Sequence, residues 1–397
     1  MPQDQIFSIS QRARNRSLPL YSLHLDLIRG LAALLVVVGH LRVAMTGHSG
    51  DVQQGQATGL LTHPAHATGL GHAAVVVFFV LSGYLVGGTV VRDLQRQRFS
   101  WHEYALKRIV RLWTVLLPTL LLGTLLDFLS ASFFRNTGVI VRSQFGREVM
   151  NGHGPLLFLR YASFSQSIER LHTPEFGSNA ALWSLSNEFF YYVLFPLIAI
   201  ACIGKQFSAF KRIAVALPAL FLLWFLGPSI TNYFPLWLCG VAAYVAPAKI
   251  PARFQRVIIP ALVVQCLAVL FYVRSHAFDA LQADTLIAIS FTALLYGLLH
   301  QVASASPGIY ARLAHALSLP SYSLYANHIP ACILVAAIFE AEFPGVFRHI
   351  GFASTIVFSV VLAYNGLFYY VFERKTDRIR SFVRSRLPAL KPAPAAA

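Results

Sequence analysis

Apolar residues run along this chain in long blocks rather than in the two-residue alternation of half-buried strands. Ten blocks stand out, at about 25–46, 72–91, 112–130, 182–203, 211–227, 230–247, 256–274, 283–302, 320–340 and 350–372. Each is close to the ~20 residues that one bilayer crossing requires. Leu, Val, Ala and Phe dominate them, and a helix satisfies its own backbone in hydrocarbon. The pattern predicts an all-α fold, a polytopic transmembrane helical bundle of about ten spans. No internal repeat divides it into two related halves. Residues 1–24 form an N-terminal segment, 25–372 a transmembrane domain, and 373–397 a basic tail whose Pro- and Ala-rich end is expected to be disordered. The N-terminus is polar and no small-residue cleavage site follows the first block, so that block reads as a retained span.

Composition supports this reading. Only 12% of residues are charged and 56% are apolar, against roughly 25% charged in a soluble domain. The formal net charge is +16, and the positive residues sit between the blocks. That placement argues for membrane loops and against nucleic acid, since no basic face with aromatic platforms lies outside the spans. Of 32 Lys and Arg residues, 23 fall on the side of the N-terminus, eight fall on the other side, and Arg29 lies within a span. Both termini are therefore expected in the cytoplasm. The exception is the outer segment from about 131 to 181, with five arginines; long translocated loops escape the rule. Cys202, Cys239, Cys266 and Cys332 all lie in apolar runs and read as small buried hydrophobes. The loop from Thr46 to Gly71, with His48, His63, His66 and the adjacent His72, lacks cysteines or regularly placed carboxylates. It reads as a flexible polar loop, and no metal site is expected.

Chemistry enters with the ionisable residues inside the blocks. Arg29 and His40, eleven residues apart in LDLIRGLAALLVVVGHL, share one helix face and are separated by ~16 Å along the axis. Such groups are costly in a span and often mark function; snorkelling of Arg29 and an interhelical hydrogen bond from His40 are the structural alternatives. Glu188, in LWSLSNEFFYYVLFPL, is expected at the depth of His40, where it would orient the imidazole as a general base. A structural pair with Arg or Tyr is its alternative, and Trp183 reads as an interface anchor. Lys107, Arg108 and Arg111 anchor the inner side of the third span or, with Arg29, form a pocket for phosphate groups. Ser82, Gly83, Gly87 and Gly88 favour close helix packing; no G-x-S-x-G elbow surrounds the serine. Tyr322, Tyr325, Asn327 and His328 form a dense polar group that reads, with Ser82, as cavity lining.

Taken in order, the Arg-x10-His pair, FFVLSGYL, the basic cluster at Arg108 and Arg111, LWSLSNE with FYYVLFP, and SYSLY with HIP resemble the membrane-bound acyltransferases of family 3. These are bacterial enzymes that O-acylate carbohydrates and some small molecules. The resemblance covers roughly residues 20–375 and implies a catalytic role for His40, with Arg29 and Glu188 as further site residues. Ala74, Val75 and Val76 stand where the family often has Gly-Val-Asp, which leaves that acidic role absent or relocated. Asn327 stands where the family commonly has Trp.

The expected reaction moves an acyl group, by expectation acetyl, from cytoplasmic acyl-CoA to a hydroxyl of a cell-surface or exported glycan, or of a small molecule. Arg29, Lys107, Arg108 and Arg111 would hold the donor's phosphates. Acyl-CoA is then a co-substrate, no cofactor is permanently bound, and the setting is the bacterial inner membrane with its lipid. Two rivals remain: a membrane-bound O-acyltransferase of the other large type centred on Asn327 and His328, and a non-enzymatic carrier of lipid-linked sugar or solute.

Overall fold

The structure, a computed structural model, describes residues 18–46, 69–150, 152–247, 250–300, 304–305 and 308–386. The segment 1–17, the loop histidines His48, His63 and His66, and the tail beyond Arg386 lie outside the described residues.

Helices dominate the described chain. The first three are α1 (Leu20–Thr46), α2 (Leu70–Gln95) and α3 (Trp101–Phe133). Three short helices follow: α4 (Gly138–Arg142), α5 (Gln144–Glu148) and α6 (Pro155–Ala162). Then come α7 (Trp183–Ile203), α8 (Ala209–Leu226), α9 (Pro228–Thr231), α10 (Phe234–Val245), α11 (Ala252–Ser275) and α12 (Ala280–Leu299). The chain continues through α13 (Ile309–Ser318), α14 (Ser321–Glu342), α15 (Pro344–Phe347), α16 (Ile350–Val371) and α17 (Thr376–Arg386). Strands β1 (Leu18–Pro19) and β2 (Ser304–Ala305) pair antiparallel over two residues, Leu18 opposite Ala305.

Nine helical segments among the described residues are long and apolar enough to cross a bilayer. They coincide with nine of the ten predicted blocks. The block at 230–247 differs: α10 has 12 residues, with Pro235 in its first turn, and α9 is a separate turn before it. Proline has no N–H to donate into a continuing ladder, so a helix starts there more readily than it passes through.

Burial sorts the helices into centre and rim. The apolar windows of α2 and α14 are each 72% buried, whereas those of α8 and α11 are 11% and 6% buried. The outward side chains of α8 and α11, among them Phe210, Leu217, Phe221 and Leu267, are apolar. Apolar side chains that find no protein partner are stable there because the surrounding medium is hydrocarbon. The arginine- and lysine-rich ends of α2, α3 and α17 gather at one end of the bundle, the basic end; the segment between α3 and α7 lies at the far end.

That segment is not a loose loop. Asp127, 1% exposed on α3, accepts hydrogen bonds from Ser178 N (2.8 Å), Ser178 Oγ (2.7 Å) and His153 Nε2 (3.1 Å). Glu340 on α14 accepts from Val139 N at 2.7 Å. Phe164 and Phe176 are buried in the main core, and Ser186 Oγ on α7 donates to Phe164 O. The segment therefore fills the far end of the bundle around the start of α7.

Candidate active site

Arg29 is set by its neighbours on α1 and α13. Its guanidinium hydrogen-bonds Ser318 Oγ and reaches Asp26 Oδ1 at 3.4 Å, and Ser318 Oγ in turn donates to the same carboxylate at 2.9 Å. Arg29 is thus turned into the protein and not toward the headgroups. The same side chain borders a cavity of about 260 Å³. Lys107, Arg108 and Arg111 of α3 line it together with Arg380 of α17. Against these five cations stand two carboxylates, Glu188 and Asp377, so the lining carries a net positive charge.

Aromatic rings hold two of the cations in place. The Arg108 guanidinium lies over the rings of Tyr104 and Tyr192, at 5.5 and 5.7 Å from their centroids, and Arg111 over Tyr322 at 5.9 Å. A cation resting on a ring keeps its N–H fork available for an anion. The cavity follows α2 from Val86 through Ser82 to Phe78 and Val75, a rise of ~16 Å for eleven residues of helix. Its lining includes Ser184 and Tyr325, whose hydroxyls are 2.5 Å apart.

Ser82 sits where α2 changes pitch, since Gly83–Gly87 forms a π-helical turn. There its backbone touches that of α10: a Cβ on Gly83 would lie 1.9 Å from Trp237 O, and one on Gly240 would lie 1.9 Å from Val80 O. Glycine at both positions lets the helices touch, which is the packing role expected of this stretch. Ser82 Oγ donates to Glu188 Oε1 at 2.7 Å and accepts from Trp237 Nε1 at 3.1 Å. Tyr192 OH also donates to Glu188.

Glu188 is therefore not the partner of His40. Counting residues from the end of α7 equated the two depths, but the folded segment before α7 occupies the far end. Glu188 faces Ser82 and the cations instead. The partner of His40 is His328, with Nδ1 of the first 2.7 Å from Nε2 of the second and the rings stacked at 5.0 Å. The tautomers follow from the acceptors. His328 Nδ1 lies 2.9 Å from the carbonyls of Leu324 and Tyr325, which only accept, so this nitrogen carries the proton. His328 Nε2 then accepts, His40 Nδ1–H donates, and the lone pair of His40 is on Nε2. Phe145 of α5 packs its ring edge-on to His40 at 5.2 Å.

Of the residues expected to line a cavity, Ser82, Tyr322 and Tyr325 do so. Asn327 does not: its Nδ2 donates to Tyr364 OH on α16 at 2.7 Å, away from His328 and the cavity. The rival site built on Asn327 and His328 together is thus not assembled. Trp183 packs against Phe79, Tyr233 and His72 inside the bundle, so it is not an interface anchor. Val76, at the position of the missing acid, is buried among apolar side chains. Among the described residues, no group of three or more His, Cys, Asp or Glu is placed to hold a metal ion. Sequence reasoning missed Tyr192, although it stands four residues after Glu188 on the same helix face, and Arg380, which it counted only as tail charge.

A family profile described as an acyltransferase domain matches residues 23–364. A Haemophilus influenzae protein described only as uncharacterized is 27% identical over 131 residues, 32% of this chain. The matched part spans about half, 49%, of that relative's length. No solved structure matches.

Proposed function

The chain belongs to acyltransferase family 3, and from that premise we propose that it is an integral membrane O-acyltransferase carrying an acyl group, acetyl in the simplest case, from acyl-CoA to an acceptor hydroxyl of a glycan destined for the cell surface. The observation that carries this reading is the positive cavity lined also by Tyr325, one helical turn from His328 and its partner His40. A nucleotide-bearing thioester suits that lining: polyanionic at one end, with a long arm leading to the reacting carbon. Arg29, Lys107, Arg108, Arg111 and Arg380 would bind the phosphates at the basic end, assigned to the cytoplasm of a bacterium.

The chemistry at His40 follows from the tautomers. His40 Nε2 takes the proton of the acceptor hydroxyl as its oxygen attacks the thioester carbon. The new C–O bond forms, the C–S bond breaks, and the imidazolium returns its proton to the departing thiolate. His328 fixes the ring of His40 and its reactive nitrogen, the task first expected of Glu188. Glu188 instead holds Ser82 and Tyr192 at the cavity wall that it shares with Arg108.

His40→Ala is expected to abolish acylation of acceptor and acceptor-dependent CoA release, with membrane insertion intact. Purified variant and wild type, compared by CoA-thiol release and by mass spectrometry of surface glycans from expressing cells, decide the matter. Full activity in the variant overturns the scheme. Activity that falls with His328→Ala but not with His40→Ala would hand the catalytic role to His328.

A further inference from the structure

On the other side of α2 from the donor cavity lies a slot of about 220 Å³ between α1, α2, α11 and α12. Leu31, Leu35, Ala73, Val269, Ile287 and Phe291 form its walls. Cys266 and Ser290 also border it, but Ser290 Oγ donates to Cys266 Sγ at 3.3 Å, so the wall is in effect hydrocarbon. Leu31 and Leu35 are 45% and 40% exposed, and α11 packs mainly on α12, so the slot opens sideways into the bilayer.

A slot of this kind, taken alone, would be filled by any lipid chain. A polar group next to its lining, at the start of α12 and of α2, makes it more specific. Asp284 lies on α12 one turn beyond Ile287, on the stripe that continues to Phe291, and it is 1% exposed. Its Oδ2 is 2.8 Å from His72 Nε2, while its Oδ1 is buried and makes no further hydrogen bond of ordinary geometry, with the Tyr233 hydroxyl close to the carboxylate. The His72 ring stacks on the Trp183 indole at 6.1 Å, and 24% of the His72 side chain is accessible. A buried carboxylate inside a span is costly and marks a functional site by default. A carboxylate, an imidazole and an aromatic face together suit a hydroxylated ring, which offers O–H donors at its edge and C–H groups on its face.

The position relative to His40 completes the argument. Helices α1 and α2 cross where Gly39 meets Gly71: a Cβ on Gly39 would lie 3.5 Å from Gly71 Cα. His40 and His72 are the next residues on either side of that contact. We propose that the slot holds the hydrocarbon tail of a lipid-borne acceptor, whose hydroxylated head rests on His72, Asp284 and Trp183 beside His40. The chain belongs between α1 and α11, and the donor thioester approaches from the opposite side of α2. The proposal rests on the acyl-transfer reading for the identity of its ligand as acceptor, and on the slot itself for its place.

The test uses the full chain in nanodiscs with dodecyl glucoside bearing a diazirine in its alkyl chain. Labelling is mapped by mass spectrometry and compared with that from a phosphatidylcholine carrying the same group. The expected result is glucoside labelling on the slot faces of α1, α2 and α11, removed by excess unlabelled dodecyl glucoside but not by free dodecanol. Asp284→Asn is expected to weaken that competition by about tenfold, the loss of one charged hydrogen bond. Val269→Trp, on the peripheral α11, is expected to remove the labelling by filling the slot. Equal labelling by the phospholipid, or labelling that no glucoside displaces, means ordinary annular lipid and overturns the proposal. An inactive His40→Ala enzyme without competable labelling sinks the slot alone. Competable labelling with a fully active His40→Ala enzyme sinks the acyl-transfer mechanism and leaves a lipid site.

Discussion

His40 carries its lone pair on Nε2 because two backbone carbonyls dictate the proton on His328 Nδ1. That chain of single-acceptor contacts can be tested by replacing its middle link. His328→Leu removes the acceptor for His40 Nδ1–H and frees the ring to turn, so kcat should fall by about 10²-fold, the lower range for general-base assistance. KM for acyl-CoA should stay close to the wild-type value, because His328 does not line the donor cavity. His328→Gln, whose amide oxygen can still accept, should recover part of kcat. A merely structural role predicts equal loss in both variants. Arg29, His40 and Glu188 were legible in the sequence because an ionisable group inside a hydrocarbon run stands out at once. Their pairing was not. Depth counted along one helix cannot register that residues 134–182 fill the far end and shift what faces Glu188.

At the scale of elements, α17 shows how a tail becomes part of a site. It packs on α3, where Arg384 meets Glu103 at 2.8 Å, and it delivers Arg380 to the donor cavity. The two arginines should differ in effect. Arg384 and Glu103 are 46% and 43% exposed, and an exposed pair is worth at most about 1 kcal/mol, so Arg384→Ala should raise KM for acyl-CoA less than about fivefold. On the proposed function, Arg380→Ala would remove a charged hydrogen bond to phosphate, worth about 1.5–3 kcal/mol, and should raise KM at least tenfold. Steady-state kinetics at low and high salt measure both, and equal effects would show that α17 acts only by docking. A second element carries a stability prediction. Asp127→Ala strips three hydrogen bonds from the segment after α3 and should cost about 2–4 kcal/mol, read as a lower Tm and faster proteolysis between Phe134 and Leu182. Nine of the ten predicted spans were legible from apolar block length alone; the block at 230–247 was not, because Pro235 starts a helix of only 12 residues there. The order of this segment was not, since its anchors are single polar residues such as Asp127 and Ser178 that carry no periodicity.

The whole molecule is polar along its long axis. Five cations line one cavity at the basic end, whereas the His72 and Asp284 pair and the folded segment between α3 and α7 belong to the far half. The bilayer keeps a highly charged thioester on the side where it starts, because no polyanion crosses ~30 Å of hydrocarbon unaided. Charge asymmetry therefore becomes a statement about sidedness: on the proposed function, the donor would enter at the basic end and the acyl group alone would pass His40 to the far half. Proteoliposomes of one defined orientation make this measurable. With the basic end facing outward, acyl-CoA added outside should support acceptor modification at the full rate. With the basic end facing the lumen, external acyl-CoA should support almost none until detergent opens the vesicles. Orientation can be read independently by protease access to Arg374–Arg386 on α17 and the turn before it. Equal rates for both orientations would mean that the donor does not enter through the cationic cavity, and the assignment of Arg29, Lys107, Arg108, Arg111 and Arg380 to its phosphates would fall with it.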